Sequence, residues 1–103
     1  MRLNFMNRHN EILTEIYVDP SSESVRIINH TNNLLDRAFG CNEHPTIKDF
    51  ESFIERRSIP QNRAGFEDLM EFYGIKDTTP LGIVRHFSGR TADDEKWIDF
   101  IED

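Results

Sequence analysis

Cys41 and His44 stand three residues apart, and a C-x-x-H pair is half of a zinc site. Zinc needs four ligands at tetrahedral spacing. No second pair lies at the expected distance, and His9, His30 and His86 are scattered, so no metal site is expected. A nucleophilic Cys41 would need an activating histidine and an electropositive pocket. Its neighbours Asn42 and Glu43 do not supply one. Carboxylates are plentiful, and Asp93, Asp94, Glu95 and Asp99 cluster near the end of the chain. A catalytic pair of acids needs a concave site that separates their pKa values, and a chain that is 30% charged produces close acids by chance. Neither G-x-x-x-x-G-K-[ST] nor G-x-G-x-x-G occurs, and Gly65, Gly74, Gly82 and Gly89 are too dispersed to cradle a phosphate. The chain therefore reads as non-enzymatic, with no catalytic residue, cofactor or metal expected.

Two charged segments stand out. Arg56-Arg57-Ser58-Ile59-Pro60-Gln61-Asn62-Arg63 places three arginines in eight residues of an acidic chain. Arg56 and Arg57 would complement the negative end of a helix. The same segment also reads as a docking loop, with Ser58 and Pro60 shaping a display of Arg56, Arg57 and Arg63. The second segment is the tail. The whole chain is −7, and residues 91–103 hold six acids against Lys96 alone, which is −5 of that total. Asp93, Asp94, Glu95 and Asp99 are the candidate binding residues there. Trp97 lies among them and is expected to be buried rather than a contact hot spot.

The elements that must position these residues come from periodicity. Leu3 and Phe5 alternate with Arg2 and Asn4, and Ile12, Thr14, Ile16 and Val18 alternate with Glu11, Leu13, Glu15 and Tyr17. Asp19-Pro20-Ser21-Ser22 is a turn, and Val25 to Ile28 reads as a partner strand. After Asn29 the pattern becomes helical. Asn33 to Phe39 reads as a short helix or an irregular turn. Thr46 with Asp49 is a near capping box before the face Ile47, Phe50, Phe53 and Ile54. Ile59-Pro60 ends that helix. The next is expected to start at Asn62, with the face Phe66, Leu69, Met70 and Tyr73 and a terminal Gly74. Thr79-Pro80 starts another, closed by Gly89. Thr91 with Asp94 repeats the near capping box, and Trp97 to Ile101 fits a helical turn or a strand returning to the sheet.

At 103 residues the chain is one domain. The expected fold is α+β: a small N-terminal antiparallel sheet of two or three strands in residues 1–30, then three or four short helices packed on it. Residues 31–103 would be the helical part, ending in the acidic tail. The expected core is Ile12 or Leu13, Ile16, Val18, Ile27, Phe50, Phe53, Ile54, Phe66, Leu69, Met70, Tyr73, Val84, Phe87 and Trp97. There is no apolar run long enough to span a membrane and no apolar leader, and there is only one cysteine, so a cytoplasmic protein is expected.

The stretch from Phe50 to Phe100 resembles the N-terminal accessory module that precedes the kinase domain in a group of HipA-like serine/threonine kinases of Firmicutes. The residues that carry the resemblance are Phe50 and Phe53, Arg57-Ser58-Ile59-Pro60 with Arg63 and Gly65, Gly74-Ile75, Gly89, and Asp94 with Trp97-Ile98. Phe53 stands where that module often has tryptophan. The resemblance implies a free-standing accessory module that binds and regulates a larger protein such as a HipA-like kinase, and it transfers no catalytic residue. A second reading is an acidic phage-type inhibitor of a nucleic-acid enzyme, an anti-CRISPR or anti-restriction protein whose carboxylates mimic phosphate. A lesser one is a helix-turn-helix regulator over Arg63 to Phe87. Leu81 to Ser88 offers only Arg85 and His86 to bases, and the net charge opposes direct nucleic-acid binding.

Overall fold

The computed structural model describes residues 1–101. Three strands come first: β1 (Arg2–Met6), β2 (Ile12–Asp19) and β3 (Ser24–Asn29). Three helices follow, α1 (Ile47–Arg56), α2 (Phe66–Tyr73) and α3 (Pro80–Phe87), and the described chain ends in β4 (Trp97–Ile101). The architecture is α+β, with four strands in one antiparallel sheet of order β3-β2-β1-β4. The expected two or three strands become four because Trp97–Ile101 returns to pair with β1, setting Leu3 opposite Phe100 and Phe5 opposite Ile98. The division into a β-rich start and a helical remainder is corrected accordingly.

The hairpins follow from local chemistry. Asp19 accepts hydrogen bonds from the Ser21 backbone (3.1 Å) and hydroxyl (2.6 Å), which closes the β2–β3 turn. Leu3, Phe5, Thr14, Ile16, Val18 and Ile98 are buried together with Phe50, Phe53 and Ile54 of α1. Alternation along the strands sends Arg2, Asn4, Glu15 and Tyr17 to the opposite face. A register shift between Phe5 and Met6 adds Leu13 to the core, so both alternating sets of β2 contribute. Thr14 is fully buried: its hydroxyl donates to Asn29 Oδ1 (2.8 Å) and accepts from the Ala38 N–H (3.2 Å), tying the 31–42 loop to the sheet.

The expected caps form where a helix follows. Thr46 Oγ1 accepts from the Asp49 N–H (3.2 Å), while Asp49 accepts from the Thr46 N–H (2.9 Å). Thr79 accepts from the Gly82 N–H (3.2 Å), with Pro80 in the first turn. The third pattern differs. Residues 91–95 form no helix, and Thr91 accepts only from the Asp93 N–H. Residues 61–65 are turns, so α2 begins at Phe66 rather than Asn62, and residues 33–39 are irregular turns.

The core is also redistributed. A second cluster of Met70, Ile75 and Ile83 forms between α2 and α3, with Ile59, Phe66, Leu69 and Phe87 half-buried around it. Tyr73 is exposed, and Ile27 and Trp97 are half-buried. Helices this short bury only part of an apolar stripe, and four-stranded pairing moves the main core toward Leu3, Phe5 and Ile98. No helix of the described residues is long and apolar enough to cross a membrane.

Candidate functional site

Arg57 ends α1 as its C-cap residue, and its side chain is 9% exposed. Its Nε donates to the Gly89 carbonyl at 2.8 Å and its Nη2 to the Lys96 carbonyl at 3.0 Å. The two terminal nitrogens also fork onto the Asp94 carboxylate at 2.9 and 3.2 Å. The guanidinium lies over the Phe5 ring, 5.1 Å from its centroid. One residue thus joins α1, the end of α3, the 89–96 loop and the sheet. A planar guanidinium suits this because it can bond two oxygens of a carboxylate and a carbonyl at once. The Arg57 hydrogen bonds hold the Asp94 carboxyl below its usual range. Gly89 is confined as well. It has a left-handed φ of +66°, and an added Cβ would meet Ile98 side-chain atoms at 2.7 Å. Arg57 therefore meets Gly89 and Asp94, 32 and 37 residues further along the chain, in one structural joint, and Arg57 and Asp94 are already occupied within the fold.

The other candidates disperse. Arg56 is exposed at the end of α1. With Arg57, Asp93 and Asp94 it lines a cavity of about 190 Å³ that also touches Phe5 and Lys96. The Ser58 hydroxyl is buried without a hydrogen-bond partner among the described residues. Pro60 and Arg63 are exposed, and the Arg63 N–H donates to the Pro60 carbonyl (3.1 Å). Glu95 pairs with Arg8 at 3.0 Å, and Lys96 with Asp36 at 3.2 Å. Asp99 sits in β4 opposite Asn4, away from the 93–95 run. Glu102 and Asp103 lie outside the described residues. Trp97 donates its indole N–H to the Asn7 carbonyl (3.0 Å), and Arg90 stacks over it.

A cluster that sequence reasoning missed lies on the open face of the sheet. Glu15 accepts from Arg2 (3.1 Å) and Tyr17 (2.8 Å) on one oxygen and meets His30 Nε2 on the other. Arg2 and Arg26 flank the Tyr17 ring at 5.3 and 4.5 Å. The His30 and Tyr17 hydrogen bonds lower the Glu15 pKa, and the bond to Glu15 raises that of Tyr17. Such a carboxylate is a fixed anion rather than a proton donor at neutral pH. The β2–β3 register, with Thr14 opposite Asn29, carries His30 beside Glu15. Pairing the two strands on paper would have brought these residues together.

The fourth feature is aromatic. Phe72 is 80% exposed and Tyr73 43%. Their rings meet edge to face at 5.1 Å, and Tyr73 also contacts Phe87 at 5.1 Å and His86 at 6.2 Å. An aromatic group spanning α2 and α3 thus faces solvent. Cys41 and His44 are both exposed, and no group of three or more His, Cys, Asp or Glu among the described residues is placed to hold a metal. No protein-family model, curated protein or solved structure matches the chain.

Proposed function

We propose that this chain is a non-enzymatic interaction module that binds and regulates a larger protein, a HipA-like kinase being the partner class its sequence resemblance implies. The observation that carries the reading is Phe72, a large aromatic side chain 80% exposed on a two-helix surface beside Tyr73. A contiguous exposed aromatic group is unusual on a monomer and typical of protein contacts. Docking is assigned to this α2–α3 face, because Arg57 is occupied by Gly89, Asp94 and Lys96. Arg56 and Arg63 remain exposed as polar contacts on the connecting segment.

The phosphate-mimic alternative draws on the net charge of −7. Arg57 and Arg8 already supply counter-charges to Asp94 and Glu95, which weakens that part of the acidic run as a mimic. A helix-turn-helix role would need α3 to present base-reading groups, and its Arg85 stacks over Phe100. The test is capture from the native host with wild-type chain and with Phe72→Ser. The proposal expects one stoichiometric protein with the wild type and its loss with the variant. Recovery of no stoichiometric partner, or equal capture by both, counts against it.

A further inference from the structure

A groove lies between the end of β2, α1 and the start of α3, and no residue of α2 lines it. Its volume is about 490 Å³, and Val18, Ile47, Phe50, Ile54, Pro80 and Leu81 form most of its apolar lining. That size falls in the range of about 300–1,000 Å³ typical of ligand-binding clefts. Three carboxylates, Glu23, Glu51 and Glu55, stand along it. All three are exposed, and none forms an ion pair or hydrogen bond among the described residues.

Two of these carboxylates oppose local helix stability. Glu51 and Glu55 are four residues apart on α1, where like charges repel. Glu55 also lies in the last turn, where the helix dipole disfavours an anion. Asp49, Asp94 and Glu15, by contrast, are held by Thr46, Arg57 and Arg2. Exposed carboxylates beside an apolar trough are complementary to a ligand that carries an apolar face and flanking cations. We propose that this groove binds an amphipathic segment of a partner chain, seating its apolar side chains between α1 and α3 and its flanking lysines or arginines against Glu23, Glu51 and Glu55. The mode is a short helix laid in a groove.

The test is an NMR titration of the isotope-labelled full chain with three synthetic peptides of equal length. One is an amphipathic Leu/Lys helix, one replaces its leucines with serine, and one replaces its lysines with glutamate. The expected result is saturable shifts at Ile47, Ile54 and Leu81 with the Leu/Lys peptide alone. The Glu51→Gln/Glu55→Gln double variant should weaken that binding about ten-fold. Both substitutions are on the surface and leave the core intact. Phe72→Ser, in α2, which does not line the groove, should leave the titration unchanged. Equal shifts with the Ser/Lys peptide would mean adhesion of any polycation and would overturn the proposal. So would shifts centred on α2–α3, or an affinity indifferent to the double variant.

Discussion

Arg57 looks in the sequence like a group offered to a partner, yet its side chain is directed into the fold. Its bonds to the Gly89 and Lys96 carbonyls and to Asp94 give it a structural duty that a free docking arginine would not have. Arg57→Ala should destabilise the chain by about 2–3 kcal/mol, since it removes charge-assisted bonds and leaves Asp94 without its main counter-charge. Arg57→Lys should recover only part of the loss, because an ammonium cannot reproduce the fork. Urea denaturation at constant slope reads both, and an unshifted Arg57→Ala midpoint would remove the structural role. The lowered carboxylates add a pH prediction. Glu15 and Asp94 titrate below the ordinary 4.5 and 3.8 when folded. Their stabilisation is therefore complete above those values and is lost as pH falls through the lowered folded pKa values. The denaturation midpoint should start to drop as pH falls below about 4.5 and keep dropping through the acid range, less steeply in Asp94→Asn. A profile flat to acid would show that the two ion pairs contribute nothing measurable.

The elements show how far local chemistry reaches. Thr46 with Asp49, and Thr79 with Pro80, are caps whose groups lie within one turn of each other, so their residue types are enough to foresee them. Thr91 and Asp94 have the same types and spacing, but Asp94 turns to Arg57, and no helix forms. Apolar spacing likewise located α2 without fixing its depth. Phe66, Leu69, Met70 and Tyr73 share a stripe, yet only Met70 is buried, because α2 is eight residues long and packs at the edge of the second cluster. Full burial of Phe66 would make Phe66→Ala cost about 3–5 kcal/mol. Half-burial reduces the expected cost to about 1–2 kcal/mol, whereas Phe53→Ala, at a site 3% exposed, should cost the full 3–5. Equal costs at the two positions would contradict the assigned burial.

At the scale of the whole molecule, the last strand holds the first. β4 pairs with β1 along its length, and Ile98 also donates its N–H to the Ser88 carbonyl at 2.7 Å, so the end of α3 is fastened to the sheet as well. A chain ending at Glu95 would expose the β1 edge and remove Ile98 from the core. It should lose its cooperative thermal transition and aggregate. Circular dichroism and light scattering would show this, and a sharp transition near that of the full chain would mean that β1–β3 and the helices suffice. The sheet also divides the surface: helices cover one face, and the Arg2, Glu15, Tyr17, Arg26 and His30 cluster occupies the other.

By itself the sequence determined the β-rich opening, the three helical stretches, two of their caps and the turn after Asp19. Each is decided by residues within a turn or a strand of one another, where sterics and hydrogen-bond geometry act along the chain. Tertiary structure decided the rest. The fate of Trp97–Ile101 depended on an open edge of β1, ninety-odd residues earlier. Arg57 had carboxylates and carbonyls to choose among, and packing selected Asp94, Gly89 and Lys96. Glu15 met His30 because a register set them side by side, and Phe72 stayed in water because one face of a short helix is all that its neighbours can cover. These outcomes come from competition among distant groups, and residue types and spacing state the contestants without the result.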